Sequence, residues 1–337
     1  MKVAVIGVGH LGSAHARNWN EIPNAELVGV YDADAERCAE IAAQNGCHAF
    51  HSPHGIIDRI DAVSVVTPTP LHRETAEPFL RAGKAVLVEK PLAHTLEDAQ
   101  ALCELADASG AILQVGHIER FNPVVRSALS EIDQPTFIEC DRIHPFSLRS
   151  TETSVVHDLM IHDIDIVLHL MKSELTDVEA HGTRVISPTE DLAHARLGFA
   201  SGATAFVKTS RVAFSRSRKV RIFSPRHYVS LDLVDRSGFQ VRLDPAYDPS
   251  DFLDESGRLV APDGAEDFLE RHLEQSPLEI SGAEPLRAEL EAFMESARGS
   301  RPVAVSGPQG VRAMKAAEMV LDSLRGRHNR LPDLSSP

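Results

Sequence analysis

Residues 155–171 form an apolar segment whose polar positions are all histidine or aspartate. Eleven of its 17 residues are Val, Leu, Ile or Met, so a helix over this segment is largely buried. At about 3.6 residues per turn, four of the polar residues lie within about 60° of one another. These four are Asp158, His162, Asp165 and His169. Buried acids and imidazoles need partners and have perturbed pKa values, which favours a role in proton transfer. The alternatives are a row of His and Asp side chains that only hydrogen-bond one another, and a metal site.

A second candidate site lies at the N-terminus, where Gly7, Gly9 and Gly12 form the pattern G-x-G-x-x-G after a short apolar run. Glycines at this spacing allow a tight turn and a close approach of the backbone to a pyrophosphate, which the N-terminus of the following helix attracts. Asp32 follows 20 residues after Gly12, where a carboxylate accepts hydrogen bonds from ribose hydroxyls. Because this charge repels a 2′-phosphate, the pattern predicts a dinucleotide site that prefers NAD to NADP.

The tripeptide Glu89-Lys90-Pro91 closes another predicted strand. The carboxyl end of a central parallel strand opens into the ligand crevice, so we expect Lys90 to point there. The proline stops the strand, and Glu89 is placed to pair with the lysine ammonium. A solvated lysine is the alternative.

The elements that position these residues alternate over residues 1–120. Short apolar runs typical of buried strands are separated by helical patterns. The predicted strands are Val3–Ile6, Glu26–Tyr31, Ala62–Val66, Ala85–Val88 and Ile112–Val115, and the predicted helices are His10–Asn20, Asp34–Gln44, Leu71–Ala82 and Leu96–Ala108. The pattern predicts the α/β class, with a Rossmann-type doubly wound parallel sheet as a dinucleotide-binding domain over residues 1–120.

The second half of the chain has a different composition. Two predicted helices, Asn122–Ile132 and Val155–Met171, flank a predicted strand at Thr136–Ile143. The β-type runs that follow are Asp177–Ile186, Ala193–Phe199, Ala203–Val212, Lys219–Phe223, Tyr228–Val234 and Phe239–Leu243. Turn signals between them predict a large mixed or antiparallel sheet. A predicted loop, Pro245–Pro262, precedes helices at Ala283–Ala297 and Gly310–Leu324. We expect an α+β substrate and oligomerisation domain over 121–325 and a disordered tail at 326–337.

The charge balance limits the classes of partner. Asp plus Glu number 49 and Lys plus Arg number 34, so the formal charge is −15. This acidity argues against non-specific binding to nucleic acid or membranes. The stretch 208–226 is locally positive, unlike the chain as a whole, because it has seven basic residues and no acidic one. It favours either phosphate binding or salt bridges on the sheet surface.

Other features favour a cytoplasmic protein. The N-terminus lacks the pattern of a signal peptide, and no apolar run approaches the ~20 residues that span a bilayer. The four cysteines show no C-x-x-C spacing, which indicates reduced thiols and no metal site.

Four segments occur in an order that resembles the glucose–fructose oxidoreductase / inositol dehydrogenase (Gfo/Idh/MocA) family. They are the glycine loop, Thr67-Pro68-Thr69-Pro70-Leu71-His72, Glu89-Lys90-Pro91 and Asp158-x-x-x-His162-x-x-Asp165. The resemblance implies an NAD(P)-dependent oxidoreductase acting mostly on sugars and polyols. It implies that Lys90 lies beside the nicotinamide and holds the reacting hydroxyl. It further implies that His162 exchanges the hydroxyl proton, as neutral imidazole does near pH 7, and that Asp158 orients substrate or base.

One departure from the family pattern concerns the proton acceptor. Many members carry glycines before the aspartate, where this sequence reads Ser154-Val155-Val156-His157. His157 therefore competes with His162 for the role of base.

Residues 116–123 and 156–165 resemble the UDP-N-acetylglucosamine 3-dehydrogenase branch of the family, which oxidises the sugar 3-hydroxyl to a ketone. The implied substrate is a UDP-N-acetylhexosamine; alternatives are an inositol or free-hexose dehydrogenase and a dinucleotide sensor without turnover. The predicted cofactor-binding residues are Gly7, Gly9, His10, Leu11, Gly12, Asp32, Thr67, Pro68, His72, Glu89 and Lys90. The predicted substrate-binding residues are Lys90, Arg120, Asn122, Arg149, Asp158 and His162.

The predicted second sheet also favours self-association. Helices cover one face of such a sheet, and Leu231 and Leu233 recur at period two, which suits burial against another subunit. The family resemblance implies a homodimer or homotetramer formed through this sheet.

Overall fold

The computed structural model describes residues 1–129, 131–148, 153–254, 256–258, 260 and 265–328. The strands in chain order are β1 Lys2–Ile6, β2 Glu26–Tyr31, β3 His48–Ala49, β4 Ala62–Val65, β5 Ala85–Glu89, β6 Leu113–Gly116, β7 Phe137–Pro145, β8 Leu175–Thr183, β9 Leu192–Phe199, β10 Thr204–Ala213, β11 Ser217–Ser224, β12 His227–Asp232, β13 Ser237–Leu243 and β14 Leu273–Pro277. The helices are α1 His10–Glu21, α2 Ala35–Asn45, α3 His72–Arg81, α4 Leu96–Ser109, α5 Pro123–Leu129, α6 Ile161–Met171, α7 Ala265–His272, α8 Pro285–Ala297 and α9 Gly307–His328. Within these described residues, none of the helices combines the length and apolar character that a membrane crossing requires.

The chain folds into two compact units that are not contiguous in sequence. The first contains residues 1–122, 156–166 and the chain from 282 onward, and the second contains residues 123–155 and 167–281. The chain first passes between them after residue 122, two residues beyond the predicted boundary, and the division differs from a single domain over 121–325. Helix α9 continues to His328, past the predicted start of the tail, and residues 329–337 lie outside the described part.

The first unit is built on the predicted parallel sheet. Its strand order is β3-β2-β1-β4-β5-β6, and every neighbouring pair is parallel. The order reverses between β1 and β4, so the crevice outside their carboxyl ends is the ligand site expected of such a sheet. The short strand β3 was not predicted.

Local chemistry explains where the surrounding helices begin and end. The side chain of Asp34 accepts a hydrogen bond from the amide of Arg37 at the start of α2, and Thr95 does the same for Asp98 at the start of α4. Gly46 and Gly110 end these two helices in the left-handed conformation. Such signals made the helix bounds predictable to within one or two residues.

Helix α8 returns to the first unit because its apolar face completes the core there. Leu286, Leu290 and Phe293 lie one turn apart and are buried with residues of α1, β1 and β5. The Phe293 and Trp19 rings meet edge to face with centroids 6.3 Å apart. This packing explains why the C-terminal helices leave the second unit.

The second unit contains the predicted mixed sheet. Its order is β14-β13-β12-β11-β7-β10-β9-β8, and only the β7–β10 pair is parallel. Helix α7 and strand β14 were not predicted. They follow an acidic, Pro/Gly-rich segment and lack the β-branched composition that marked the other strands.

The apolar residues predicted to lie on the free face of this sheet lie on its covered face instead. Leu231 and Leu233 are 1% and 6% exposed, so they are already buried within the chain. They therefore cannot supply a subunit contact. The opposite face carries a row of aromatic rings, Phe206–Phe137–Phe223–Tyr228, with successive centroids 4.7–5.9 Å apart.

Candidate functional site

The glycine loop has the shape that a dinucleotide needs. Gly7 has φ of +84°, and a Cβ there would lie 2.6 Å from the Val66 carbonyl oxygen. A Cβ on Gly12 would lie 1.8 Å from the Gly7 carbonyl oxygen. At Gly9, by contrast, none of the described atoms lies within 4 Å of such a Cβ. The loop is thus closed against β4 and open on its outer side.

The start of α1 faces this opening. No side chain caps the helix, and His10 and Leu11 in its first turn are exposed. Uncapped amides at a helix N-terminus attract anions such as a pyrophosphate.

Asp32 follows β2 at the edge of the same loop. Its carboxylate accepts hydrogen bonds from the amide of Val8 at 2.7 Å and from the amide of Asp34 at 2.9 Å. A carboxylate has about four acceptor positions, so a half-exposed Asp32 keeps capacity for ribose hydroxyls. The loop, the uncapped helix and this carboxylate together fit NAD.

The segment after β4 is held from behind by a histidine. His72 is 1% exposed, and its Nε2 and Nδ1 lie 2.8 Å and 2.9 Å from the carbonyl oxygens of Thr67 and Pro91. Burial lowers the pKa of His72, although the two carbonyls oppose the shift. His72 thus joins two loops of the site, and its expected role as a cofactor contact remains a prediction. Pro68 is exposed, and the buried hydroxyl of Thr67 has no protein partner among the described residues.

Lys90 reaches the start of the His/Asp segment. Its Nζ donates to the Asp158 carbonyl oxygen at 2.8 Å and lies 3.9 Å from Asp158 Oδ1. Glu89 does not pair with this ammonium, contrary to the sequence-based expectation. Its carboxylate is buried, 3.1 Å from His15 Nε2, and accepts a hydrogen bond from the amide of Lys90 at 3.2 Å. Side chains alternate along a strand, so successive residues of β5 point in different directions.

The predicted His/Asp stripe is divided between two environments. Residues 156–160 form a π-helical turn before α6, so the i to i+5 hydrogen bonds replace the assumed helical spacing. Asp158 contacts Lys90, and His162 follows four residues later in α6. Asp165 is 1% exposed and bound by Arg120, and His169 belongs to the second unit. Only Asp158 and His162 remain candidates for the chemistry.

The competing histidine has another partner. His157 Nε2 lies 3.1 Å from Glu318 Oε1 of α9. Burial lowers the pKa of His157, and the neighbouring carboxylate opposes this shift. His157 is therefore engaged with a helix of the first unit, which favours His162 as the base.

Two of the predicted substrate residues have partners within the protein, and a third lies outside the described residues. Arg120 is 8% exposed and donates Nε and Nη2 to the two oxygens of Asp165 at 2.6 Å and 2.8 Å. This bidentate pair occupies the fork that a phosphate would use. Asn122 is 7% exposed and donates to Glu119. Arg149 lies outside the described residues.

The basic stretch 208–226 serves the second unit itself. Lys208, Lys219 and Arg221 pair with Asp141, Asp232 and Glu139 on neighbouring strands. Arg211 is buried, and its Nε lies 2.8 Å from Asp191. Ion pairing within the sheet thus accounts for four of the seven basic residues, and phosphate binding by the other three remains a prediction.

The carboxylate of Asp191 is the centre of a buried network. It accepts hydrogen bonds from the amides of Val185, Ile186 and Ser187 at 2.7–2.9 Å. Burial alone would raise the pKa of Asp191, but hydrogen bonds from Ser187, Ile186 and Arg211 outweigh it and hold the pKa below its usual range. The network fixes the β8–β9 connection onto β10.

Sequence reasoning missed three buried polar residues of the first unit. Gln114, His117 and Glu289 are 0–1% exposed, and their side-chain polar atoms have no hydrogen-bond partner among the described residues. Burial lowers the pKa of His117. One signal was available: Glu289 shares the apolar face of α8 with Leu286, Leu290 and Phe293.

Comparison with known proteins matches both halves of the chain. Residues 1–117 match an oxidoreductase family with an NAD-binding Rossmann fold, and residues 125–227 match the GFO/IDH/MocA C-terminal domain. The chain belongs to the GFO/IDH/MocA oxidoreductase family. It is therefore an NAD-binding oxidoreductase, in agreement with the fit of the glycine loop and Asp32.

Relatives within the GFO/IDH/MocA family act on different sugars and polyols. UDP-N-acetylglucosamine 3-dehydrogenase of Acidithiobacillus ferrooxidans is 34% identical over 321 residues, which cover 95% of this chain and 96% of that protein. A solved structure of that enzyme superposes with a TM-score of 0.85 at 33% identity, over 97% and 98% of the two chains. The scyllo-inositol 2-dehydrogenase of Bacillus subtilis is 32% identical over 63% of this chain and 68% of its own.

Proposed function

We propose that this enzyme oxidises the 3-hydroxyl of a UDP-N-acetylhexosamine with NAD. The observation that carries the chemistry is the contact of Lys90 with Asp158, four residues before His162. The nearly full-length similarity to a UDP-N-acetylglucosamine 3-dehydrogenase supports the choice of substrate.

The residues divide the work of dehydrogenation. Bound NAD supplies the hydride acceptor. The Lys90 ammonium donates a hydrogen bond to the reacting hydroxyl and stabilises the charge that develops on its oxygen. His162 takes the hydroxyl proton, and Asp158 holds Lys90 by its carbonyl and carboxylate oxygens.

The test compares UDP-N-acetylglucosamine with free N-acetylglucosamine and a panel of other UDP-sugars, with NADH formation as the readout. We expect kcat/KM to be highest for the UDP-N-acetylhexosamine, with the ketone at carbon 3 of the product. Equal kcat/KM for the free sugar would show that the diphosphate contributes nothing and would overturn the substrate assignment.

A second candidate is the oxidation of an inositol or free hexose. The pairing of Arg120 with Asp165 and of Lys208 and Arg221 with sheet acids favours it, because these cations are less available to hold a diphosphate. The inositol 2-dehydrogenase relatives support the same alternative. Including myo- and scyllo-inositol in the panel distinguishes the two candidates.

We also propose that the enzyme is a cytoplasmic homo-oligomer assembled through the open face of the second unit's sheet. All four cysteines are free thiols, which suits a reducing compartment. Phe206 on the open face is 44% exposed beside the ring of Phe137. Light scattering at micromolar concentration tests the assembly: we expect a dimer or tetramer that Phe206→Glu weakens, and a wild-type monomer would refute it.

A further inference from the structure

One face of the first unit's sheet carries a carboxylate among apolar residues. The β5–β6 register pairs Leu87 with Gln114 and Glu89 with Gly116, so these four residues share a face. Leu87 packs in the core with Leu290 of α8. Helices α1 and α8 therefore both supply residues to the core on this face, and Glu89 points toward His15 of α1.

Glu89 has little room to move on this face. A Cβ on Gly116 would lie 2.8 Å from the Glu89 carboxyl carbon, so the carboxylate packs directly on the glycine. One carboxylate oxygen lies 3.1 Å from His15 of α1, and the other accepts from the amide of Lys90. Glu89 thus ties the end of β5 to α1, immediately beside the residue that reaches Asp158.

A second carboxyl group, that of Glu289, enters the same region from α8. It is 0% exposed, and neither of its oxygens has a hydrogen-bond partner among the described residues. The charges that act on it most are negative, those of Glu89, Glu284 and Asp165. Two buried carboxyl groups, those of Glu89 and Glu289, therefore interact within the first unit, and Glu89 directly precedes Lys90 in the chain.

The cations on the surrounding elements already have partners. Arg120, on the turn that α8 packs against, binds Asp165, and His15 on α1 binds Glu89. Lys90 contacts Asp158, while the remaining acid on that turn, Glu119, accepts from Asn122. His117 is buried, and burial lowers its pKa, which disfavours a charge on its ring. Among the described residues Glu289 has neither a hydrogen bond nor an ion pair, and the buried Nη1 of Arg120 also lacks a hydrogen-bond partner there. An ionised Glu289 would thus be a buried charge without a bound cation, which costs several kcal/mol.

We propose that Glu289 is a positioning residue that stays a neutral carboxylic acid in the working enzyme. Burial, together with the charge of Glu89, raises the pKa of Glu289 well above its usual range, in agreement with this geometry. The inference rests on the proposed function, because its consequence for activity passes through Lys90.

The consequence is an alkaline limit to activity. When Glu289 ionises, a second negative charge arises beside Glu89, which Gly116 and His15 prevent from moving away. The strain falls on the end of β5 and on the amide of Lys90. We expect kcat to fall about tenfold for each pH unit above the pKa of Glu289, as for a single ionisation.

Infrared spectroscopy of the protein without substrate tests the protonation directly. At neutral pH we expect the carbonyl band of a buried carboxylic acid, which Glu289→Gln removes. The control is Glu295→Gln, an exposed position on the same helix, which retains the band. If Glu289→Gln removes no such band, the proposal is wrong whether or not a substrate has been found.

The pH profile of kcat tests the positioning role. Glu289→Gln should keep turnover at neutral pH and should not show the fall of kcat at alkaline pH, which we call the alkaline limb. Glu295→Gln should keep the alkaline limb of the wild type. If the glutamine variant does not fold, Glu289→Met, also neutral, makes the same comparison. An unchanged alkaline limb in both variants would overturn the role of Glu289, and loss of turnover at neutral pH with NADH binding intact would show that an ionised carboxylate is required.

Discussion

The choice between the two dinucleotides depends on Asp32. Its carboxylate lies at the end of β2 and is already bound to the amides of Val8 and Asp34. It therefore cannot swing away from a 2′-phosphate, and the two like charges cost several kcal/mol. We expect tighter binding of NADH than of NADPH in titrations followed by fluorescence.

In the variant Asp32→Ala, the ratio of the affinities for NADH and NADPH should fall by about 10². Asp58→Ala, an exposed aspartate on a turn of the same unit, serves as the charge control and should leave the preference unchanged. Equal wild-type affinity for the two cofactors would contradict the assignment.

Proton transfer is argued from Lys90 and His162. Lys90→Ala should abolish turnover while NADH still binds, because in the proposed mechanism the lysine side chain holds the hydroxyl and not the dinucleotide phosphates. His162→Ala should lower kcat by about 10²- to 10⁴-fold, the usual effect of losing a general base. His157→Ala should retain turnover, since that ring is bound to Glu318. The reverse result for the two histidines would identify His157 as the base.

The pH dependence of the unfolding free energy should reveal the raised pKa of Glu289 independently of activity. Its pKa is raised in the folded state, so the folded protein holds a proton that the unfolded chain releases above about pH 4.3. The stabilisation is complete below that pH, and it declines by up to about 1.4 kcal/mol per pH unit until the folded pKa is reached. Glu289→Gln removes this dependence, so its advantage over wild type in urea unfolding should be larger at about pH 8 than at about pH 5. An advantage that does not change with pH would contradict the raised pKa.

Some residues of the candidate site could be predicted from the sequence, and the contacts of others could not. Gly7, Asp32 and Lys90 were predictable because each sits at a fixed offset from a strand end. The partner of Arg120 was not, because Asp165 lies 45 residues away and meets it only through packing. A free arginine and a buried, paired one look alike in sequence.

At the level of elements, the strands and helices around the site were largely predictable from periodicity and capping. The π-helical turn before α6 was not, since the same mixture of apolar residues with His and Asp runs through the turn and the helix from residue 155 to 171. That turn changes which side chains share a face, and it is why the predicted stripe of four residues was reduced to two candidates.

The β8–β9 connection provides an element-scale prediction. Arg211→Met leaves Asp191 buried with its amide donors but without its cation, which should cost about 3–5 kcal/mol of unfolding free energy. Lys208→Met, on the same strand, breaks a half-exposed pair 3.7 Å from Asp141 and should cost at most about 1 kcal/mol. Urea denaturation measures both. Similar losses in the two variants would mean that burial of the Arg211 pair does not matter.

On the scale of the whole molecule, the return of α8 to the first unit makes cofactor binding depend on the C-terminal part of the chain. A protein ending at Ser281 lacks Leu290 and Phe293, which fill the core beside Trp19. We expect it to lose NADH binding and cooperative unfolding, while a protein ending at His328 keeps both. A 1–281 protein that binds NADH with wild-type affinity would contradict this dependence.

Sequence patterns predicted the two sheets and their classes but assigned α8 and α9 to the second domain. Amphipathic periodicity shows that a helix has a buried face, yet it does not show which core that face completes. The strand order of the second sheet was beyond prediction for the same reason, because β7 pairs with β10 and β11 at distant positions in the chain.

The interleaving of the two units has a consequence for biosynthesis. A nascent chain that has emerged as far as residue 281 contains every strand of the parallel sheet but not helix α8, which packs in the core with Leu87. The sheet therefore cannot close its core on the ribosome until the last stretch of the chain emerges. The NAD-binding part, although it is made first, is completed last, and the intervening unit can fold before it.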